Sequence, residues 1–271
     1  MLLEIDAENA LHYEHAAPAP ARAGAPTFVF VNALTGSTAA WEAAVAPALR
    51  DAGFGTLAWN FRGQEGSRFA PGLALDDRLI AADLARLVAH VAPSRPVLVG
   101  LSIGGLYAAR AVLDGLDAAG LVLLNTLREI GPRIAWVNDA MVALTAQGGV
   151  GLFLDALFPL LVSGDFAAKA RPGFLKGGYA PLDPGHGHMV LMRHAAGADW
   201  DLPWERLALP VLVITGLQDR VFLDRAVVER LAARLPNARR YDWPEAGHLL
   251  PQEAPERLAG ALMDFARSLA P

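Results

Sequence analysis

The sequence predicts an α/β fold: a mainly parallel, eight-stranded sheet flanked by helices, with a helical cap inserted after the sixth strand. Short apolar runs alternate with longer segments of helical period, and the central runs are apolar throughout, the pattern of strands covered on both faces. From 127 to 208 the strand signal stops, too long a gap for an ordinary crossover. The expected organisation is a core of residues 1–126 and 209–271 with the cap at 127–208.

Taken in order, Leu2 to Ile5 and Ala10 to His15 suit an opening hairpin. Thr27 to Val31 is a β-branched and aromatic run bounded by Pro26 and Asn32, so a strand. Trp41 to Asp51 follows as a helix, then Gly53 and a strand from Thr56 to Trp59. Asp76 to Ala92 repeats apolar residues at helical spacing through Leu79, Ile80, Leu84, Leu87, Val88 and Val91. Strand Pro96 to Leu101, helix Ile103 to Leu113 and strand Leu121 to Leu124 complete the first part. The second part has strands Val211 to Thr215 and Ala238 to Trp243, with helices Asp224 to Leu235 and Pro255 to Leu269. Within the cap, Arg133 to Thr145 and Gly151 to Leu161 carry helical patches, and the whole belongs above the carboxyl ends of the strands, where open sheets hold ligands.

Composition narrows the function. Apolar residues make up 54% of the chain, enough for a large core. With 23 Lys plus Arg against 28 Asp plus Glu, the formal charge is −5, and Lys169 and Lys176 are the only lysines. Nothing there suits a nucleic-acid backbone. The absence of cysteine removes disulfides, Cys-based zinc sites and thiol chemistry. Glu4, Asp6, Glu8 and Asn9 break up the opening residues, so no secretory pattern is expected there, and a cytoplasmic location is. The most apolar stretch, Gly148 to Val162, is shorter than a bilayer span requires, so no membrane span is expected.

The chemistry concentrates at Val97-Leu98-Val99-Gly100-Leu101-Ser102-Ile103-Gly104-Gly105. A serine where a strand turns at once into a helix projects its hydroxyl above the sheet, and the glycines two positions either side let strand and helix backbones approach. Such a hydroxyl needs a base to take its proton. His248, on the loop after the strand ending near Trp243, is the best placed; His12, His15, His90, His186, His188 and His194 fall in the hairpin, a helix end or the cap. The base in turn needs a carboxylate, and Asp219 lies just past the strand Val211 to Thr215. Asp224 looks like a helix N-cap, and Glu129 is a weaker rival. Charge forming on a substrate carbonyl calls for two donors: the backbone N–H of Ile103 and, from the loop Asn32 to Ser37, that of Leu34.

Pocket candidates are Asn32, Arg128, Trp136 and Met141. The side chains of Asn32, Thr35 and Ser37 either reach the substrate or satisfy loop backbone, while Arg128, Glu129, Asn138 and Asp139 either fix a substrate oxygen or pair with one another. The apolar residues of the cap predict a small-to-medium, largely uncharged small-molecule substrate. No cofactor is implied, and His186, His188 and His194 lack a carboxylate to complete a metal site.

On Gly100-Leu101-Ser102-Ile103-Gly104-Gly105, the turn from Gly216 to Asp219 and the pair Gly247-His248, the chain resembles the α/β-hydrolase superfamily, more narrowly its small capped esterase, lactonase and non-haem haloperoxidase-like serine hydrolases. The resemblance implies the roles of nucleophile, acid and base for Ser102, Asp219 and His248, in the family's chain order. It departs in two places: Asn32-Ala33 stands where the family usually has His-Gly, and Asn60 where the segment Asn60 to Ser67 would usually open with Asp. The resemblance implies hydrolysis of a carboxylic ester or lactone. Carbon–carbon bond hydrolysis, acyl transfer, perhydrolysis, hydroxynitrile lysis and a non-catalytic binding role use the same scaffold and remain alternatives.

Overall fold

The computed structural model describes residues 1–269. In chain order the elements are β1 (Leu2–Glu4), β2 (Ala10–Ala16), β3 (Thr27–Val31), α1 (Ala39–Glu42), α2 (Val45–Asp51), β4 (Gly55–Trp59), α3 (Asp77–Val91), β5 (Pro96–Leu101), α4 (Ile103–Leu113) and β6 (Gly120–Leu124). They continue with α5 (Pro132–Leu161), α6 (Gly164–Ala170), α7 (Gly187–Ala196), β7 (Val211–Gly216), α8 (Arg225–Ala232), β8 (Ala238–Trp243), α9 (Leu250–Glu253) and α10 (Pro255–Ser268). The eight strands form one sheet in the order β1-β2-β4-β3-β5-β6-β7-β8. β1–β2 and β2–β4 pair antiparallel; every other pair is parallel.

β3, β4, β6 and β7 are buried at every residue because helices cover both faces. Side chains alternate across the sheet: Val29 and Val31 pack into one core layer with Leu84 and Leu106, while Phe28 and Phe30 enter the other with Trp41, Leu49 and Leu262. The Phe30 ring stacks on Trp41 at 4.6 Å between centroids. Truncating such a buried ring to alanine costs about 3–5 kcal/mol.

Local chemistry sets the helix ends. The Asp76 carboxylate accepts from the Leu79 N–H to open α3, and Asp224 accepts from Ala226 and Val227 to open α8, the capping role its position suggested. The single helix expected from Trp41 to Asp51 is two short ones broken at Ala44. Pro47 has no N–H to return to Ala43, so the first helix cannot run on through it.

Between β6 and β7 the chain makes α5, α6, α7 and short 3₁₀ turns, with no strand. The two expected helical patches are one helix, α5, broken at Gly148 and Gly149, where Gly149 takes φ of +70°. By length and composition alone α5 would reach across a membrane, which the sequence reading did not expect. Neither side of the glycine break supplies the roughly 20 continuous residues a span needs. Met141 and Phe153 of α5 pack against Met192 of α7.

Candidate active site

β5 stops at Leu101 and α4 starts at Ile103, so Ser102 alone makes the turn, with φ 57° and ψ −122°. A non-glycine residue held there stores on the order of 1–3 kcal/mol of strain. The flanking glycines explain how the turn closes. A Cβ on Gly100 would lie 2.4 Å from the Gly105 Cα, and one on Gly104 would lie 2.3 Å from the Val31 carbonyl oxygen. The Ser102 N–H donates to the Leu124 carbonyl at 2.8 Å, tying the turn to β6.

His248 follows β8 on a loop braced from three directions. Its N–H donates to the Leu161 carbonyl at 2.6 Å. The Asn125 amide donates to the Gly247 and His248 carbonyls. The Glu253 carboxylate accepts from the backbone N–H groups of Ser163, Gly247 and Leu249. Asn125 and Glu253 were not singled out in the sequence, because their importance lies in which distant loops they join.

His248 Nδ1 lies 2.7 Å from Asp219 Oδ2, both side chains buried. The other carboxylate oxygen, Oδ1, accepts from the N–H groups of Val221 and Phe222, each at 2.9 Å. Burial pushes the Asp219 carboxyl up, but the His248 charge, its hydrogen bond and those two N–H donors outweigh it, and the net shift is downward. The rivals are engaged elsewhere: Asp224 caps α8 and Glu129 pairs with Arg230 on the surface.

Ser102 and His248 line one cavity of about 410 Å³ between the sheet edge and the helices that follow β6. Its walls are mostly apolar, with Met141, Phe153 and Phe158 from α5, Phe166 from α6, Met192 from α7, and Trp200 and Phe222 from loops. The Ser102 Oγ accepts a 2.9 Å hydrogen bond from Arg128 Nη2, and among the described residues no hydrogen bond joins it to His248. Leu34 and Ile103 also line the cavity. Among the described residues, the N–H groups of Leu34 and Ile103 donate to no protein acceptor.

The Asn32 loop shows why the chain tolerates its departures from the family pattern. The Asn32 amide nitrogen donates to the Trp59 carbonyl and lies 3.0 Å from both Asn60 Oδ1 and Gln64 Oε1, while its oxygen accepts from the Trp41 indole. Gln64 Nε2 reaches the Ala33 and Leu34 carbonyls. Asn32 does line the cavity, as expected, and its amide hydrogen bonds brace the loop that carries Leu34. Trp136 needs correcting: it is 80% exposed and absent from the cavity wall, because it sits on the outer side of α5. Met141 and Arg128 do line the cavity. Of the histidines between β6 and β7, the His186 ring accepts from the His188 N–H, and among the described residues no group of three or more His, Cys, Asp or Glu could hold a metal.

The Alpha/beta hydrolase family matches residues 28–261, and the chain belongs to that family. Over 253 residues it is 27% identical to "Putative non-heme bromoperoxidase BpoC" of Mycobacterium tuberculosis, covering 89% of this chain and 94% of that one. Among solved structures it is similar to a thermophilic esterase from Thermogutta terrifontis, with a TM-score of 0.76 and 24% identity over 98% of this chain and 96% of that one. It is likewise similar to an enol-lactonase from Burkholderia xenovorans, with a TM-score of 0.78 and 22% identity over 96% and 97% of the two chains.

Proposed function

We propose that this chain is a serine hydrolase that cleaves small-to-medium carboxylic esters or lactones through an acyl-enzyme on Ser102. The observation that carries the reading is the 2.7 Å contact of His248 Nδ1 with Asp219, made beside a cavity that Ser102 enters. With Nδ1–H donated to Asp219, the other ring nitrogen, Nε2, is free of a proton and acts as base. In the first half-reaction His248 takes the Ser102 proton as Oγ bonds to the substrate carbonyl carbon. The N–H groups of Leu34 and Ile103 receive the resulting oxyanion, each donor being worth about 3 kcal/mol at the transition state. His248 then gives the proton to the departing alcohol oxygen. Water repeats the sequence, with its proton passing to His248 and then to Ser102 as the acid leaves.

The helices between β6 and β7 act as a cap: they close the cavity against bulk water and supply its apolar wall. The esterase and enol-lactonase among similar structures support this reaction class. Replacing Ser102 with alanine tests it. The variant should fold and lose turnover by a factor on the order of a million. Near wild-type hydrolysis by purified Ser102→Ala would overturn the reading.

A further inference from the structure

Among the described residues, Arg128 is the one Arg, Lys, Asp or Glu on the cavity wall. It is only 5% exposed, and it forms no ion pair with any carboxylate among the described residues. Its Nε donates to the Thr126 carbonyl, and Nη2 donates to the Asn125 carbonyl and the Ser102 hydroxyl. Nη1, with two N–H groups, makes no protein hydrogen bond among the described residues. The rings of Trp200 and Phe222 lie over the guanidinium, at 4.6 and 4.3 Å from its centre. The carboxylate whose charge acts on it, that of Asp219, is committed to His248 and to two backbone N–H groups. A buried cation without a counter-ion is costly in a fold that otherwise pairs its buried arginine, as Arg62 does with Asp83.

Sheet order says what the cation faces. β3 and β6 lie on opposite sides of β5, so Leu34 approaches Ser102 from one side and Arg128, four residues past β6, from the other. The guanidinium thus reaches the Ser102 hydroxyl from the flank of β5 away from Leu34. It meets the first atoms of the group that becomes attached to Oγ.

We propose that Arg128 binds a free carboxylate on the acyl half of the substrate, a few bonds from the scissile carbonyl. The preferred substrate is then the half-ester of a short dicarboxylic acid, or a lactone bearing such a carboxylate. This deepens the serine-hydrolase reading and rests on it, and it replaces the largely uncharged substrate expected from the sequence. Planar N–H pairs of a guanidinium match a carboxylate in bidentate fashion, and the flanking rings hold the plane in place. The incoming carboxylate takes over the guanidinium hydrogen bond that Ser102 accepts, which frees the hydroxyl to turn toward His248. The rest of the acyl chain and the alcohol lie against the apolar wall.

The test compares monoethyl glutarate and monoethyl succinate with their diethyl esters, followed by acid release. The wild-type protein should favour the half-esters in kcat/KM by at least about tenfold. Arg128→Met should shrink that ratio at least about tenfold, mainly through KM of the half-ester, and Arg128→Lys should restore part of it. Because each ratio is taken on one protein preparation, a partly inactive variant does not blur it. If Arg128→Met fails to fold, inhibition of wild-type diethyl ester hydrolysis by glutarate, against glutaramide of the same length, gives the same comparison. Diester hydrolysis that depends on Ser102 with no half-ester preference, or with glutarate no better an inhibitor than glutaramide, overturns the carboxylate assignment alone. Hydrolysis of neither ester, or of both by Ser102→Ala, overturns the serine-hydrolase reading beneath it.

Discussion

Adding one methyl group at Gly104 should separate the geometry of the site from the stability of the fold. The Cβ of Gly104→Ala would meet the Val31 carbonyl oxygen at 2.3 Å and that of Asn32 at 2.4 Å, where ordinary contact starts at 3.4 Å. The start of α4 and the end of β3 must therefore part by about 1 Å, since both are backbone and neither can rotate away. That displacement falls on the two segments that carry Ile103 and Leu34. A misplacement of about 1 Å in reacting groups costs on the order of a hundredfold in rate. Overpacking of this kind costs about 1–3 kcal/mol, which for a chain of this size lowers Tm by roughly 2–6 °C. Gly260→Ala is the control: its new Cβ meets nothing within 4 Å inside α10, and it should leave kcat unchanged while raising Tm slightly. The assay is kcat on a short-chain ester at 25 °C alongside thermal unfolding by circular dichroism. Wild-type kcat in a folded Gly104→Ala would refute the argument that the β3–α4 approach sets the donor geometry.

Four further outcomes follow from the site. Asp219→Asn should lower kcat by about ten-thousandfold with the fold intact, since the amide favours the wrong His248 tautomer. The folded-state carboxyl of Asp219 titrates below its ordinary 3.8, so the stability it contributes is fully present above that value and is lost as pH falls through the lower one. The difference in urea midpoint between wild type and Asp219→Asn should hold down to about pH 4 and close below it; closure already at pH 5 would contradict the linkage. Burial pushes the Arg128 guanidinium down to about 10, against the pull of the Asp219 charge. It is cationic below that pH, so a preference for monoethyl over diethyl glutarate should stay level from about pH 7 to 9 and fall as pH rises through about 10; a preference rising through that range would be the wrong sign. Glu253→Ala orphans three backbone N–H groups at the base of the His248 loop and should lower Tm by several degrees and kcat by about tenfold. The Glu253→Gln variant should recover part of both, and an unchanged kcat in Glu253→Ala would show that the loop holds itself.

What could be read from the chain was whatever lay in contiguous residues. The elbow at Ser102 is local: an apolar strand, a serine between spaced glycines and a helix are all written within Val97 to Leu113. Asp219 and His248 follow from their places just past the last two strands of a parallel sheet, because strand ends in such a sheet share one edge. The Arg128 contact was not legible, since it depends on β5 and β6 being neighbours in register, with Leu101 opposite Leu124. Trp136 misled because α5 is apolar nearly all round, so helical phase gave no sign of which side faces the cavity. Asn32 lines the cavity, but its bracing role was not legible. A polar residue at a strand's carboxyl end suggests substrate contact, yet Trp41, Asn60 and Gln64 surround it and take its hydrogen bonds. Three polar side chains at the ends of adjacent strands, Asn32, Asn60 and Gln64, were the available clue to that network.

The central claim is that Ser102 carries the acyl group, and mass spectrometry of the protein quenched during ester turnover tests it most directly. The intact chain should gain one acyl mass, located by peptide mapping to Ser102, and Ser102→Ala should show none. Turnover without an adduct in the wild type, even with a slowly deacylating ester, or an adduct mapped to any other residue, would contradict it.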